Sequence, residues 1–307
     1  MGAAAEARER RIGFACASLI LVIWSGFILV TRAGATGVLT PWDLAALRLI
    51  VAFVLLVPFA LGGALKGLPW RRCLAMGVFA GLGFPLFAYA GFTMAPAAHG
   101  AVLLPGALPF ATALVAWVWL GERVGGRKAA SLGLVLAGIV FLAGGGFLEV
   151  PGAWRGDLLF LAGTTSWAVY TLLIRRWGVG AIQATVAVGV ASAPLYLPVW
   201  FFLLPSRLSE ASWGEIAFQG AYQGALAMVI ASLFYTRALV ALGPAKLAFF
   251  TAVVPALASV AAWPILGEPL GPGAMLGVVL VTAGMIYGVL RGSGPVPSRV
   301  DAPTPRT

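Results

Sequence analysis

Charged residues are scarce in this sequence. Its 307 residues include only ten acidic residues and one histidine, and the acidic residues lie at or beyond the ends of the apolar segments. The sequence also lacks a His-Glu-x-x-His zinc motif, a Gly-x-Ser-x-Gly nucleophile motif and a phosphate-binding glycine loop. A membrane enzyme would need a nucleophile with its base, or a metal centre. The sequence therefore predicts a protein that is not an enzyme and that uses no cofactor and no metal.

Cysteine is almost as rare. The two cysteines, Cys16 and Cys73, lie in or beside apolar segments, in the half that the basic residues place towards the cytoplasm. Because that compartment is reducing, we expect no disulfide. No small-residue cleavage site follows the first apolar segment, which favours a retained helix over a signal peptide. The basic residues form no cluster interleaved with aromatic residues, and this argues against a nucleic-acid partner.

Apolar residues make up 61% of the chain, and the mean hydropathy is +0.99. They form successive segments of roughly 20 residues, each long enough to cross about 30 Å of hydrocarbon. Polar faces with a helical period are almost absent, so a soluble core does not explain the pattern. The sequence predicts an all-α integral membrane protein with ten transmembrane helices. The predicted spans are 13–34, 43–64, 73–94, 97–120, 129–147, 156–174, 181–204, 215–240, 244–266 and 271–290.

The chain also matches itself at an offset of about 146 residues. The matched residues are Pro109, Trp117, Leu120, Gly121 and Glu122 in one half, and Pro255, Trp263, Leu266, Gly267 and Glu268 in the other. Five spans per half is an odd number, so the second copy should be inverted relative to the first. Basic residues follow Glu122 closely but not Glu268, as an inverted copy requires. The sequence predicts two inverted five-helix repeats, an arrangement typical of carriers.

The basic residues predict the orientation. Of the twenty Lys and Arg residues, all but four fall on one side if both termini are cytoplasmic, as the positive-inside rule requires. Those four are Arg32, Arg48, Arg155 and Arg207. The predicted organisation is a cytoplasmic N-terminus (1–12), a first repeat (13–147), a second repeat (156–291) and a disordered cytoplasmic tail (292–307).

Two tryptophans stand apart from the interfacial ones. Trp24 and Trp167 lie near the middle of their spans and are repeat partners, with Ser25 beside the first and Tyr170 one turn beyond the second. They indicate either an aromatic-lined central cavity or packing against lipid or a neighbouring helix. The candidate substrate-binding residues are Trp24, Ser25, Tyr89, His99, Trp167, Tyr170, Gln219, Tyr222, Gln223 and Tyr235.

The eighth span has a polar stripe. Glu215, Gln219, Tyr222 and Gln223 recur on one helical face, and Arg237 returns to that face near the other end of the span. Amides facing lipid are costly, so the stripe should face the bundle interior, either towards a ligand or as an interhelical hydrogen-bond seam.

Two other polar residues lie near span ends. His99 is either a ligand contact or proton site, or a satisfied interfacial histidine. We expect Arg48 to pair with a helix-end partner such as Asp43 rather than bind substrate.

Proline and glycine indicate where helices bend or approach closely. Pro109 and Pro255 are repeat-matched, which makes them the candidate hinges. Small-residue steps such as Gly77–Gly81 and Gly284–Gly288 permit close contact, either within the bundle or in a dimer. A monomer is the working expectation.

The chain resembles the drug/metabolite transporter superfamily, in its ten-span EamA type. The resemblance rests on the Leu120-Gly121-Glu122 and Leu266-Gly267-Glu268 motifs after proline-centred spans, on the glycine stretches that follow, on Arg48 and on Gly243-Pro244-Ala245-Lys246. His99, Pro105, Pro264 and Pro269 depart from the usual pattern. The resemblance implies an inner-membrane carrier of small solutes with its site between the halves, and bacterial amino-acid exporters are the nearest comparison.

The leading hypothesis is a carrier in the bacterial inner membrane that exports amphipathic metabolites, above all amino acids. It would work by alternating access through a central aromatic-lined cavity, with a small-molecule solute and the lipid bilayer as its partners. The alternatives are an exporter of lipophilic drugs or nucleobases and a membrane scaffold that transports nothing.

Overall fold

The structure is a computed structural model that describes residues 3–121, 125–149 and 151–291. Every regular element in these ranges is a helix. In the first half they are α1 (Ala3–Ala35), α2 (Pro41–Ala64), α3 (Trp70–Met94), α4 (Ala97–Gly106), α5 (Leu108–Leu120) and α6 (Gly126–Glu149). In the second half they are α7 (Ala153–Trp177), α8 (Ala181–Leu203), α9 (Trp213–Leu242), α10 (Pro244–Ala252), α11 (Val254–Leu266) and α12 (Pro272–Arg291).

The expected all-α membrane fold is confirmed. Nine stretches of the described residues are long and apolar enough to cross a membrane. The tenth expected span corresponds to α6, whose apolar part is Ala129–Leu142. Glu122 of the first Leu-Gly-Glu motif lies outside the described residues, as does the tail 292–307 that we expected to be disordered.

The two halves repeat each other helix by helix, so that each of α1–α6 has its counterpart six helices later. The closest match is between α5 and α11. Each ends at a glycine in the left-handed region, Gly121 with φ 66° and Gly267 with φ 69°. A residue with a Cβ atom is disfavoured there, so glycine allows the chain to leave the helix.

Two π-helical segments also occupy matched positions. Within α3 the π segment is Gly77–Gly83, and within α9 it is Ala221–Ile230. A π-helical turn contains an extra residue and interrupts the regular i→i−4 hydrogen-bond ladder, and such turns are frequent at functional sites. Both repeats therefore have an irregular turn at equivalent depth.

The fourth and ninth spans are each broken into two helices. The break is at Ala107 between α4 and α5, and at Val253 between α10 and α11. Pro109 and Pro255 lie in the first turns of the helices that follow, where a fixed φ and a missing N–H are tolerated. Matched broken helices often mark the binding region of a carrier. The hinge role of the two prolines stays a prediction.

Glycine contacts hold the bundle together. A Cβ atom on Gly138 of α6 would lie 2.7 Å from the Gly277 carbonyl oxygen of α12. Nearby, Ser131 Oγ donates to the Gly284 carbonyl oxygen at 2.7 Å. Likewise, Gly81 packs on Ser192 of α8, and Gly224 packs on Val51 of α2. These small residues therefore serve packing within the chain.

Helix α1 has a central position. It contacts α2, α3 and α4 of the first repeat and α9, α10 and α11 of the second. Its side chains consequently meet residues of both repeats, and most of the candidate site lies around it.

Candidate functional site

The polar stripe of α9 faces α1. Gln219 Nε2 donates to the Val30 carbonyl oxygen at 3.2 Å, and the Tyr222 hydroxyl donates to the Ile23 carbonyl oxygen at 3.1 Å. Both donors thus find acceptors away from lipid, which lowers the cost of placing them in the bundle. The stripe therefore forms a hydrogen-bonded seam between the first and the second repeat. Glu215, at the start of α9, lies outside the seam and follows the capping residue Ser212.

Gln223 is the most connected residue of this seam. Its side chain is fully buried. Its Nε2 donates to Thr31 Oγ1 at 3.0 Å and to Gln219 Oε1 at 3.3 Å, and its Oε1 accepts from the Tyr89 hydroxyl at 3.1 Å. The amide is thus held by α1, α3 and its own helix. Together with Arg48 these residues form what we call the Gln223 cluster: Thr31, Arg48, Tyr89, Gln219 and Gln223.

Arg48 belongs to this cluster, and the expected pairing with Asp43 is wrong. Asp43 lies in the first turn of α2, where it forms a capping box with Thr40. Its carboxylate also accepts hydrogen bonds from Trp200, Ser206 and Arg207. Five residues later, at about 100° per residue, Arg48 lies on a different face of the helix.

The Arg48 side chain points into the bundle and is only 6% exposed. Its Nη1 donates to the Gln223 backbone oxygen at 3.1 Å, within the π-helical segment of α9. Its guanidinium carbon lies 5.8 Å from the centre of the Phe27 ring, within the range of a cation–π contact. A backbone carbonyl and an aromatic ring thus contact a buried cation.

A row of aromatic rings extends from the cluster towards α7. Tyr89 and Phe27 are 6.3 Å apart between ring centres, Phe27 and Phe84 6.2 Å, Phe84 and Trp167 5.0 Å, and Trp167 and Tyr170 5.1 Å. These separations are typical of interacting aromatic pairs. We call these five residues the aromatic row. The row joins α1 and α3 of the first repeat to α7 of the second.

Trp24 is not part of the aromatic row. Its ring stacks on Tyr235 of α9, with 5.7 Å between ring centres and 24° between planes. Two residues further along α1, a Cβ atom on Gly26 would collide with the Tyr222 hydroxyl oxygen. The two repeat-matched tryptophans thus lie in separate aromatic groups, one at the α1–α9 seam and one in the row. Ser25 is buried, and within the described ranges its Oγ has no hydrogen-bond partner.

His99 lies apart from the Gln223 cluster. It is in the first turn of α4, and its Nδ1 is 2.8 Å from Asp157 Oδ1 in the first turns of α7. The ring is buried, with 4% of its surface exposed. Its partner is a carboxylate at the end of the bundle. This agrees with the second alternative given for His99 from the sequence, an interfacial histidine whose hydrogen bonding is satisfied within the protein.

Ion pairs link α1 to the second repeat at both ends. Near Ala35, Arg32 Nε lies 2.6 Å from Glu268 Oε1, and Glu268 Oε2 accepts from the Ala97 backbone N–H at 2.7 Å. Near its start, α1 pairs through Glu9 with Arg237 of α9. We refer to these two ends of the bundle as the Ala35 end and the Glu9 end. An ion pair therefore connects the first repeat to the second at each end of the bundle.

Sequence reasoning missed part of this site. Phe27, Phe84 and Thr31 were not among the candidates, because apolar rings and threonines are common in membrane helices and carry no distinguishing pattern. Arg48 was noticed but given a local partner. Its position inside an apolar span was the available signal, since ionisable residues within membrane helices usually face the bundle interior and mark functional sites.

Comparison with known families identifies a family whose profile covers nearly the whole chain. The profile of the EamA-like transporter family matches residues 11–144 and 154–289, one match in each half.

Two curated proteins and one solved structure are also similar to the chain. "Uncharacterized transporter YyaM" of Bacillus subtilis (strain 168) is 24% identical over 295 residues, covering 90% of this chain and 93% of that protein. "Uncharacterized protein PA1977" of Pseudomonas aeruginosa is 32% identical over 217 residues, covering 66% of this chain and 67% of that protein. One crystal structure is similar in fold, with a TM-score of 0.62 and 22% identity, covering 92% of this chain and 97% of that chain.

Proposed function

The chain belongs to the EamA-like transporter family, and from this premise we propose that it exports small amphipathic metabolites, with amino acids as its cargo. The family and the many apolar helices make it a multi-pass membrane protein that moves a small-molecule solute across a lipid bilayer. The proposal adds the chemical class of the solute, the direction of transport and the bacterial inner membrane as its location.

The observation that carries the proposal is the meeting of the Gln223 cluster and the aromatic row at Tyr89. The Gln223 cluster supplies hydrogen-bond donors and acceptors, and the aromatic row supplies ring surfaces. An amphipathic solute needs both kinds of surface, since its polar groups must be paired once they leave water. Both groups include residues of both repeats, so a relative movement of the repeats would change the site.

The two ion pairs support an alternating-access mechanism. Arg32–Glu268 connects the repeats at the Ala35 end, and Glu9–Arg237 connects them at the Glu9 end. A carrier must open one end while the other is closed. We propose that these pairs break and form in alternation, and that the Glu9 end faces the cytoplasm, as the distribution of basic residues predicts.

Uptake by sealed proteoliposomes tests this function. The purified chain is reconstituted, and the flux of labelled zwitterionic amino acids and of neutral nucleobases is measured with and without an imposed proton gradient. We expect amino-acid flux well above that of protein-free vesicles. Flux of nucleobases alone would contradict the proposed cargo, and the absence of any flux for a correctly folded chain would contradict transport of either class.

A further inference from the structure

Arg48 is a buried cation without a carboxylate partner. Its side chain is more than nine-tenths buried, and its Nε–H has no hydrogen-bond partner among the described residues. In the ranges that the structure describes, no carboxylate lies within ion-pair distance of its guanidinium. Asp43, the nearest carboxylate along α2, is fully occupied by Thr40, Trp200, Ser206 and Arg207.

Such a charge is costly within a membrane protein. An ionised side chain in a low-dielectric interior normally pairs with an opposite charge or shifts towards its neutral form. Arginine cannot take the second route, because it stays protonated in proteins. The Gln223 backbone oxygen, the Tyr89 side chain and the Phe27 ring solvate the guanidinium in part, but none of them is a carboxylate.

The geometry points to a carboxylate binding site: we propose that Arg48 binds the carboxylate group of the transported solute. The inference rests on the proposed function and specifies the substrate class, namely small zwitterionic or anionic solutes with a free carboxylate. Nη1 is already engaged by Gln223, and Nε has no partner among the described residues. We therefore assign the solute carboxylate to the edge that carries Nε, where its two oxygens would accept from Nε and the neighbouring Nη2, close to the Tyr89 side chain. Paired parallel hydrogen bonds of this kind are the preferred geometry of arginine with carboxylates.

The surroundings of Arg48 suit the rest of such a solute. Phe27 lies against the guanidinium and begins the part of the aromatic row that leads to Phe84 and Trp167. A solute whose carboxylate is held at Arg48 would place its apolar side chain along these rings.

The position of Arg48 also explains how the solute gains access. Arg48 belongs to the first repeat, and its Nη1 acceptor belongs to the second. Relative movement of the repeats separates the two groups and exposes the guanidinium.

A purely structural role for Arg48 makes a different prediction. If the residue only ties α2 to α9 through the Gln223 carbonyl, its loss weakens transport of every solute to the same extent. A carboxylate-binding role affects only solutes that carry this group. The decisive comparison is therefore between an amino acid and its carboxamide, which differ in the carboxylate alone.

The transport experiment uses proteoliposomes of wild type, Arg48→Gln and Arg48→Lys. Arg155→Gln is the matched control, since Arg155 is exposed and lies over Trp154. L-leucine and L-leucinamide are measured as labelled solutes or as competitors. We expect Arg48→Gln to raise the KM for leucine roughly 10- to 100-fold, from the usual strength of hydrogen bonds to charged groups, while leucinamide changes less than threefold. Arg48→Lys should lie between wild type and Arg48→Gln. Equal losses for both solutes would overturn the proposal.

A binding experiment separates this inference from the proposed function. Tryptophan fluorescence of the purified full chain is titrated with isocaproate, which has the carboxylate and no amine, and with isocaproamide. The site is supported if isocaproate quenches the fluorescence saturably, isocaproamide does not, and the quenching is lost in Arg48→Gln. This outcome supports the site even if leucine is not transported. Leucine transport together with equal responses to the two ligands would support the proposed function and reject Arg48 as the carboxylate site.

Discussion

Arg32 and Glu268 form an ion pair between the first and the second repeat, with 2.6 Å between Nε and Oε1. The same arginine also donates to the Phe92 carbonyl oxygen, and the same carboxylate accepts from the Ala97 backbone N–H. Four segments, α1, α3, α4 and the loop after α11, thus meet at two side chains. This contact joins the two repeats at the Ala35 end of the bundle.

Removing the charge of Glu268 should open the Ala35 end. Hydrogen bonds to charged groups contribute about 1.5–3 kcal/mol each, so Glu268→Gln should raise the population of the open form roughly tenfold. The measurement is the distance between spin labels at Thr36→Cys and Pro269→Cys, which are exposed in the first and second repeats. The two native cysteines are replaced by alanine.

The control for this prediction is Glu210→Gln. Glu210 is exposed and lies in the loop between α8 and α9, on the same end of the bundle. Its substitution should leave the distance distribution unchanged. If Glu268→Gln gives the same distribution as wild type, the ion pair does not hold the Ala35 end closed.

Tyr89→Phe should weaken solute binding without unfolding the bundle. The substitution removes the hydroxyl that donates to Gln223 Oε1 at 3.1 Å and keeps the ring next to Phe27. A neutral hydrogen bond contributes about 1 kcal/mol, so we expect a KM about fivefold higher. Thr93→Ser is the control, because the Thr93 hydroxyl donates to the Ala90 carbonyl oxygen of its own helix. An unchanged KM in Tyr89→Phe would remove the Gln223 cluster from the solute path.

The two mid-span tryptophans should matter more than the interfacial ones. Trp24 stacks on Tyr235, and Trp167 contacts Phe84 and Tyr170. Because an aromatic pair contributes beyond its buried area, each change to alanine should reduce transport by roughly tenfold or more.

Trp154→Ala and Trp213→Ala provide the comparison. These side chains are 43% and 86% exposed, as expected of residues at the membrane interface. All four variants are compared at equal abundance in the membrane. Equal effects would indicate that Trp24 and Trp167 serve packing alone.

Pro109→Ala and Pro255→Ala should slow turnover more than they weaken binding. Each proline lies in the first turn of the second helix of a broken span. Alanine restores an N–H and removes the fixed φ, so the helix can continue through Ala107 or Val253 and the span stiffens. We expect kcat to fall several-fold while KM changes little. Pro264→Ala, in an exposed position late in α11, is the control. A change in KM alone would argue against a hinge.

The sequence predicted some features of this molecule well and others poorly. Span positions follow from the length of the apolar runs, and the α9 stripe was predicted to face the interior because amides at Gln219 and Gln223 require partners. The π-helical segment Gly77–Gly83 was not predicted, since a single extra residue in a uniformly apolar helix leaves no periodic signal. The acceptor of Arg48 is a backbone oxygen, which has no signature in the side-chain sequence.

Two further contacts depend on tertiary structure alone. His99 and Asp157 are 58 residues apart and meet only because α4 packs on α7. Trp24 and Trp167 occupy matched positions in the two repeats, but their ring contacts differ. Trp24 stacks on Tyr235, whereas Trp167 contacts Phe84 and Tyr170, because α1 and α7 have different neighbours in the bundle. Repeat matching predicts equivalent positions, and it does not predict equivalent contacts.

Topology is a further point on which experiment can decide. We expect reporter fusions at both termini to behave as cytoplasmic and a fusion in the loop 204–212 to behave as external, because most basic residues lie on the side of the termini. The measurement uses paired reporters that are active on opposite sides of the membrane. A cytoplasmic signal from that loop would rule out the inverted arrangement of the repeats.

The matched π-helical segments of α3 and α9 also show what the two copies share and where they differ. The same irregular turn lies at the same place in both halves, so this backbone distortion does not depend on identical side chains. Gly77 and Gly81 in one half correspond to Gln223 and Ala227 in the other. At these positions the first copy lets a neighbouring helix approach closely, and the second places a polar amide in the bundle interior.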